Sequence, residues 1–318
     1  MLPSPAEVLA AAHRLRGTID RTPLLRSAPL STRTGADVYL KCENLQRTGS
    51  FKLRGATNAL AALSADERAR GVVASSAGNH GLGVAHASRA LGIHARIFVP
   101  SSAPAVKRRG IAALGAEVDD GYANYDAAHQ AAETFARAHH LTFVNPCAGE
   151  ALLAGQGTVA LEVLEELPDV QTFVVPVGGG GLVGGMAALV RAVAPTARIV
   201  GVQSEMTNAM AASLTAGRRM AVPVPATLAD GLAGQIDDVG FAIGQVALDL
   251  MLTVSEPEIA DAIAWVAREH DMRVEGSGAV TVAALLQARI PSLRGPVALI
   301  LSGGNIDEAR WKRITDGR

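Results

Sequence analysis

The chain reads as an α/β protein of parallel sheets covered by helices on both faces, in one large or two modest domains. Three observations predict this. Short apolar runs alternate with amphipathic stretches of about 10–15 residues. The 318 residues are 49% hydrophobic but only 3% aromatic, so alanine, valine and leucine must fill a sizeable core. No tandem repeat, low-complexity tract or long Pro/Ser linker breaks the pattern.

Taken in order, the apolar runs Val38–Lys41, Val72–Ser75, Arg96–Val99, Phe173–Val177, Ile199–Gln203 and Val297–Leu301 are the predicted strands. A helix is expected to open at Lys52 and run through the alanine-rich Ala56–Leu63, since alanine is the best helix former. Further helices are expected over His80–Leu91, Tyr125–His139, Leu182–Val193, Glu258–His270 and Asp307–Thr315.

Composition narrows the function classes. A formal net charge of −1 without a long basic run argues against nucleic acid or an anionic membrane as partner. The apolar runs are too short for a membrane span and no signal peptide precedes Pro23, so a cytoplasmic protein is expected. Cys42 and Cys147 lie far apart without a C-x-x-C, which reads as two buried thiols rather than a disulfide or metal site.

Four segments carry chemistry. Thr48-Gly-Ser-Phe-Lys-Leu-Arg-Gly-Ala56 places Lys52 at a helix start, where a desolvated amine can attack a carbonyl. Val174-Val-Pro-Val-Gly-Gly-Gly-Gly-Leu182 runs a strand into four glycines and a helix, a cradle whose backbone N–H groups can close on a phosphate. It lacks the lysine of a nucleotide triphosphate loop. Ser75-Ser-Ala-Gly-Asn-His-Gly81 is a strand-to-helix turn whose Asn79 can donate to a phenolate-like oxygen and whose N–H groups can hold a carboxylate. Val297-Ala-Leu-Ile-Leu-Ser-Gly-Gly-Asn305 delivers Ser302 to a strand's carboxyl end, where open α/β sheets place ligands. Singly, the last three are also ordinary turn or strand-end chemistry.

Together these motifs, from Arg21-Thr-Pro-Leu24 to Ser302-Gly-Gly-Asn305, resemble the fold-type II pyridoxal-phosphate enzymes, in the threonine/serine dehydratase and serine racemase branch. The resemblance implies a tryptophan synthase beta-like fold with pyridoxal 5′-phosphate in a cleft between two domains. Residues 1–44 and 147–318 would form the large domain, and 45–146 a small mobile one. Lys52 would anchor the cofactor, Phe51 would pack near its ring, and Asn79 would bond its 3′-oxygen. Gly178, Gly179, Gly180 and Gly181 would hold the phosphate, and Ser302 would face the pyridine nitrogen. Ser76, Ala77, Gly78, Asn79 and His80 would bind the substrate, a small amino acid.

A neutral hydroxyl at the pyridine nitrogen makes the ring a shallower electron sink than a carboxylate would, which favours β-elimination over transamination. The expected activity is elimination of water from a β-hydroxy amino acid, L-threonine, L-serine or a relative, to a 2-oxo acid and ammonia. Racemisation is the alternative within this fold. Racemase-like relatives carry a serine where this chain has Ala77, and alanine has no exchangeable proton. Thr227–Gly234 and Val274–Val280 also resemble hydroxyectoine-pathway dehydratases. Some relatives bind a divalent cation after the strand matching Ile199–Gln203; Gln203, Ser204 and Glu205 leave that undecided. Glu275 falls near the cofactor by family position, or complements a helix dipole. A homodimer without a C-terminal regulatory extension is expected. A nucleotide-binding oxidoreductase would explain the glycines but leave Ser50–Arg54 unused.

Overall fold

A computed structural model describes residues 2–317. Ten strands divide between two sheets. The larger has six: β1 (Leu24–Arg26), β2 (Val38–Lys41), β7 (Thr172–Pro176), β8 (Arg198–Ser204), β9 (Leu250–Val254) and β10 (Val297–Ile300), in the order β1-β2-β10-β7-β8-β9. The smaller has four: β3 (Val72–Ser75), β4 (Ala95–Pro100), β5 (Glu117–Tyr122) and β6 (Thr142–Phe143), in the order β5-β4-β3-β6.

All pairings are parallel except β1 with β2, which is antiparallel and corrects the expectation of purely parallel sheets. The exception is an edge strand, where an antiparallel ribbon needs no crossover helix. β7 and β10 are buried along their whole length because helices cover both faces, which is why they appear in sequence as unbroken apolar runs. β5, with the sequence EVDDGY, is a half-exposed edge strand, and its acidic residues hid it from an apolar pattern search.

Helices follow the strands. The lysine helix spans Lys52–Ala61, the asparagine helix Asn79–Leu91 and the glycine-loop helix Gly181–Val193. The helix expected from Glu258 begins at Glu256, because Ser255 and Glu258 form a reciprocal capping box that fixes the start. A helix at Pro5–Leu15, not expected, is announced by the same device in Ser4 and Glu7. Among the described residues no helix is long and apolar enough to cross a membrane.

Candidate active site

β3 and β7 are interior strands of their sheets, and each runs at its carboxyl end into a turn that opens a helix. Together with the end of β10 they bring the four motifs to one cleft, the place where parallel sheets present ligands.

The segment before the lysine helix is fastened to the end of β10. Ser50 forms an antiparallel bridge with Gly303, and Phe51 N donates to Ser302 O at 3.1 Å. Ser302 is buried. Lys52, half-buried, donates through Nζ to Pro146 O at 2.7 Å and lies 5.4 Å from the Phe51 ring centroid.

Pro146 leads into Cys147, which packs on the glycine turn. A Cβ added to Gly179 would lie 2.8 Å from Cys147 Sγ, so only glycine lets the two segments approach. Gly180 has φ +94°, a left-handed conformation that disfavours other residues. The helix that follows has no side-chain cap and no acidic residue in its first turn. Its N–H groups and dipole are therefore directed at the cleft with no protein anion to satisfy them. Cys147, expected to be buried like Cys42, is only half-buried because it lies against the glycine turn as part of the cradle wall, which sequence spacing gave no way to see.

Asn79 is held from both sides. Its Nδ2 donates to Glu275 Oε1 at 2.7 Å and its Oδ1 accepts from Asn305 Nδ2 at 2.7 Å. Asn305 also donates to Thr48 O, so the asparagine turn is tied to the lysine segment. Glu275 precedes the helix Gly276–Leu286 but makes no side-chain cap bond there. It is 6% exposed, and burial together with Asp230 pushes its pKa up to about 8. A carboxyl that is mostly neutral near pH 7 does not act as a dipole-complementing charge, and that reading of Glu275 is set aside.

His80 Nε2 lies 2.9 Å from Val144 O, which can only accept, so the ring carries its proton on Nε2. Burial and the nearby Lys52 charge push its pKa down to about 3. His80 Nδ1, Ser75 Oγ and Ser50 Oγ are buried polar atoms without a partner in the segments that build the cleft. Ser76 Oγ accepts from Gly78 N at 3.1 Å and shapes the turn, while Ala77 packs against the hydrophobic core. Lys107, on the helix Ala105–Ala113, reaches Asp230 Oδ2 at 3.5 Å.

Gln203 Oε1 accepts from Ala211 N at 3.0 Å, and Ser204 Oγ donates to Glu256 at 2.6 Å. These bonds join the end of β8 to the helices Ala209–Ala216 and Glu256–His270.

An amine, an uncapped glycine-rich helix start, an amide donor and a neutral strand-end hydroxyl suit an aldehyde that carries a phosphate. The sequence pattern of the family described as pyridoxal-phosphate dependent enzyme matches residues 15–303. The chain belongs to that family. An L-threonine ammonia-lyase of Thermotoga maritima is 44% identical over 97% of this chain and 77% of its own length. The catabolic L-threonine dehydratase of Escherichia coli K12 is 37% identical over 97% of this chain and 95% of its own. Maize serine racemase, a solved structure, superposes with a TM-score of 0.94 at 30% identity, covering 100% of this chain and 98% of the racemase. These similarities place the chain among fold-type II enzymes, in the branch shared by threonine/serine dehydratases and serine racemases.

The donor set fits pyridoxal phosphate. Its phosphate finds a helix start free of acidic residues, and its aldehyde a lysine at the mouth of the same cleft.

Proposed function

We propose that this protein is a pyridoxal-phosphate dependent ammonia-lyase that removes water from L-threonine or L-serine to give a 2-oxo acid and ammonia. The observation that carries it is the joining of Lys52, through Pro146 and Cys147, to the glycine cradle beside a neutral strand-end serine.

When bound, the cofactor supplies an aldehyde for amines and a ring that withdraws electrons from Cα. Lys52 Nζ would anchor it and, when freed, would receive the Cα proton of the substrate. The Gly178–Gly181 N–H groups would hold the phosphate, Asn79 Nδ2 would donate to the 3′-oxygen in place of Glu275, and Ser302 would offer the ring nitrogen a hydroxyl that does not ionise it. The N–H groups of Ser76–His80 bind the substrate carboxylate. The Cα hydrogen and the β-hydroxyl leave as water; the released enamine takes up water and loses ammonia.

Residues 45–146 would act as a small domain that moves over the cleft, in a cytoplasmic homodimer. Racemisation is the second reading, favoured by the close superposition on maize serine racemase. Ala77 weighs against it, since it offers no proton on the face opposite Lys52.

Oxo acid formed from L-threonine and L-serine, measured beside D-serine, separates the two. Oxo acid is expected to dominate, and D-serine as main product would overturn the lyase assignment. Borohydride reduction and peptide mapping should find the cofactor on Lys52; a label on another lysine, with Lys52 unmodified, would overturn its role.

A further inference from the structure

Behind the cleft, on the far side of the lysine helix, lies a closed set of buried charges that this mechanism leaves unused. Arg54, Glu43 and Lys41 have fully buried side chains and Glu162 is 12% exposed. Arg54 faces two carboxylates in fork geometry. Nε and Nη2 each reach Glu43 at 2.8 Å, and Nη1 and Nη2 reach Glu162 at 2.6 and 2.9 Å. Lys41 Nζ donates to Glu162 Oε2 and to Thr22 O, both at 2.6 Å. The cluster is neutral and draws on β2, the short turn Glu43–Leu45, the lysine helix and the helix Glu150–Glu166.

Stability alone explains such a cluster poorly. Desolvating the charges cancels most of their attraction, and apolar side chains of the same volume commonly do as well or better. What a doubly forked guanidinium supplies is direction, because its plane and both partners are fixed together. Arg54 follows Lys52 by two positions, about 200° around the helix, so the two side chains leave opposite faces of one turn. Arg54 N also donates to Phe51 O at 2.9 Å, closing that turn.

We infer that Arg54 is a positioning residue: clamped between Glu43 and Glu162, it fixes the first helical turn so that Lys52 meets the cofactor aldehyde. The inference rests on the proposed role of Lys52. A misdirected amine would lose capture of the aldehyde while the glycine cradle, on other elements, still bound phosphate.

Two variants test it. Arg54→Lys keeps the charge and removes the fork. Arg54→Met combined with Glu43→Gln removes one charge of each sign, leaving the Lys41–Glu162 pair and a neutral cluster, which protects folding if the single variant fails. Three quantities are measured on each: unfolding of the cofactor-free protein, affinity for pyridoxine 5′-phosphate, which has no aldehyde, and the rate of borohydride-trapped labelling of Lys52 by pyridoxal 5′-phosphate. The expected result is affinity for pyridoxine 5′-phosphate within about threefold of the parent and Lys52 labelling slowed about tenfold or more. Unchanged labelling, or labelling and pyridoxine 5′-phosphate affinity lost in parallel with stability, would overturn it and leave Arg54 a purely structural residue. Failure of the parent to label at Lys52 would instead strike the function proposed for that lysine.

Discussion

β7 and β3 both end in a turn that opens a helix at the cleft, yet the two turns are made differently. After β7, Gly178–Gly181 carry no side chains, and the turn touches its neighbours through backbone alone: Gly178 on Leu232, and Gly179 and Gly181 on Cys147. After β3, the turn is made of side-chain bonds, with Ser76 Oγ on Gly78 N and Asn79 tied to Glu275 and Asn305. The first is defined by close approach, which leaves no space for an added side chain at Gly179. The second is defined by polar partners that can be exchanged for those of a ligand, which is what a turn on the small domain proposed to move would need.

The largest effect should come from filling the glycine turn. Gly179→Ala places a Cβ 2.8 Å from Cys147 Sγ. Cofactor affinity should fall by about 100-fold, the order expected of an overpacked contact that must shift backbone. Shortening the opposing side chain in Gly179→Ala/Cys147→Ala should recover part of it. Wild-type affinity in Gly179→Ala, by absorbance titration, would mean the turn is less constrained than its contacts indicate.

The polar turn depends on a carboxyl whose pKa in the fold, about 8, exceeds the ordinary 4.5. The folded state then binds a proton that the unfolded chain has lost. The Glu275 contribution is therefore full below about pH 4.5, declines as pH rises toward 8 and is flat beyond. Glu275→Gln keeps an acceptor for Asn79 and removes that decline. Its advantage in urea unfolding of the cofactor-free protein should grow by roughly 2 kcal/mol between pH 6.5 and pH 8.5. A pH-independent difference would contradict a proton held on Glu275.

Asn79→Ala should cost less than filling the glycine turn. One hydrogen bond to the cofactor is lost, worth about tenfold in affinity, while the phosphate cradle is untouched. A loss as large as that of Gly179→Ala would erase the distinction between the two turns. The smallest change is expected of Ala77→Ser, which adds a hydroxyl to the polar turn without altering its bonds. D-serine formation should rise by about threefold or less relative to oxo acid, since one positioned proton donor acts only where its geometry is right. D-serine exceeding oxo acid in that variant would show position 77 to be the main barrier to racemisation.

Much of this was legible along the chain. The four motifs are contiguous, and each takes its meaning from local chemistry: a lysine at a helix start, glycines after a strand, an asparagine in a turn, a serine at a strand end. The buried parallel strands were legible for a similar reason, since a strand covered on both faces must be apolar throughout. Of the strands that escaped notice, β9 (Leu250–Val254) is an apolar run too short for periodicity to tell strand from helix, and the others are shorter still or polar. β6 has two residues and β5 is half acidic, and neither leaves a periodic trace. The antiparallel β1 is three residues long and is defined by its partner Tyr39–Lys41 rather than by its own composition.

The sequence by itself determined the α/β class and the family, and it pointed to Lys52 as the amine proposed to react, because those depend on residues adjacent in the chain. The tertiary structure alone decided that Cys147 walls the glycine cradle, that Glu275 keeps a proton beside Asn79, and that Arg54 is gripped by Glu43 and Glu162. Each pairs residues separated by between 11 and 196 positions. No local pattern encodes such pairs. Their energies come from desolvation and from distances of about 3 Å, which exist only once the helices and sheets have packed.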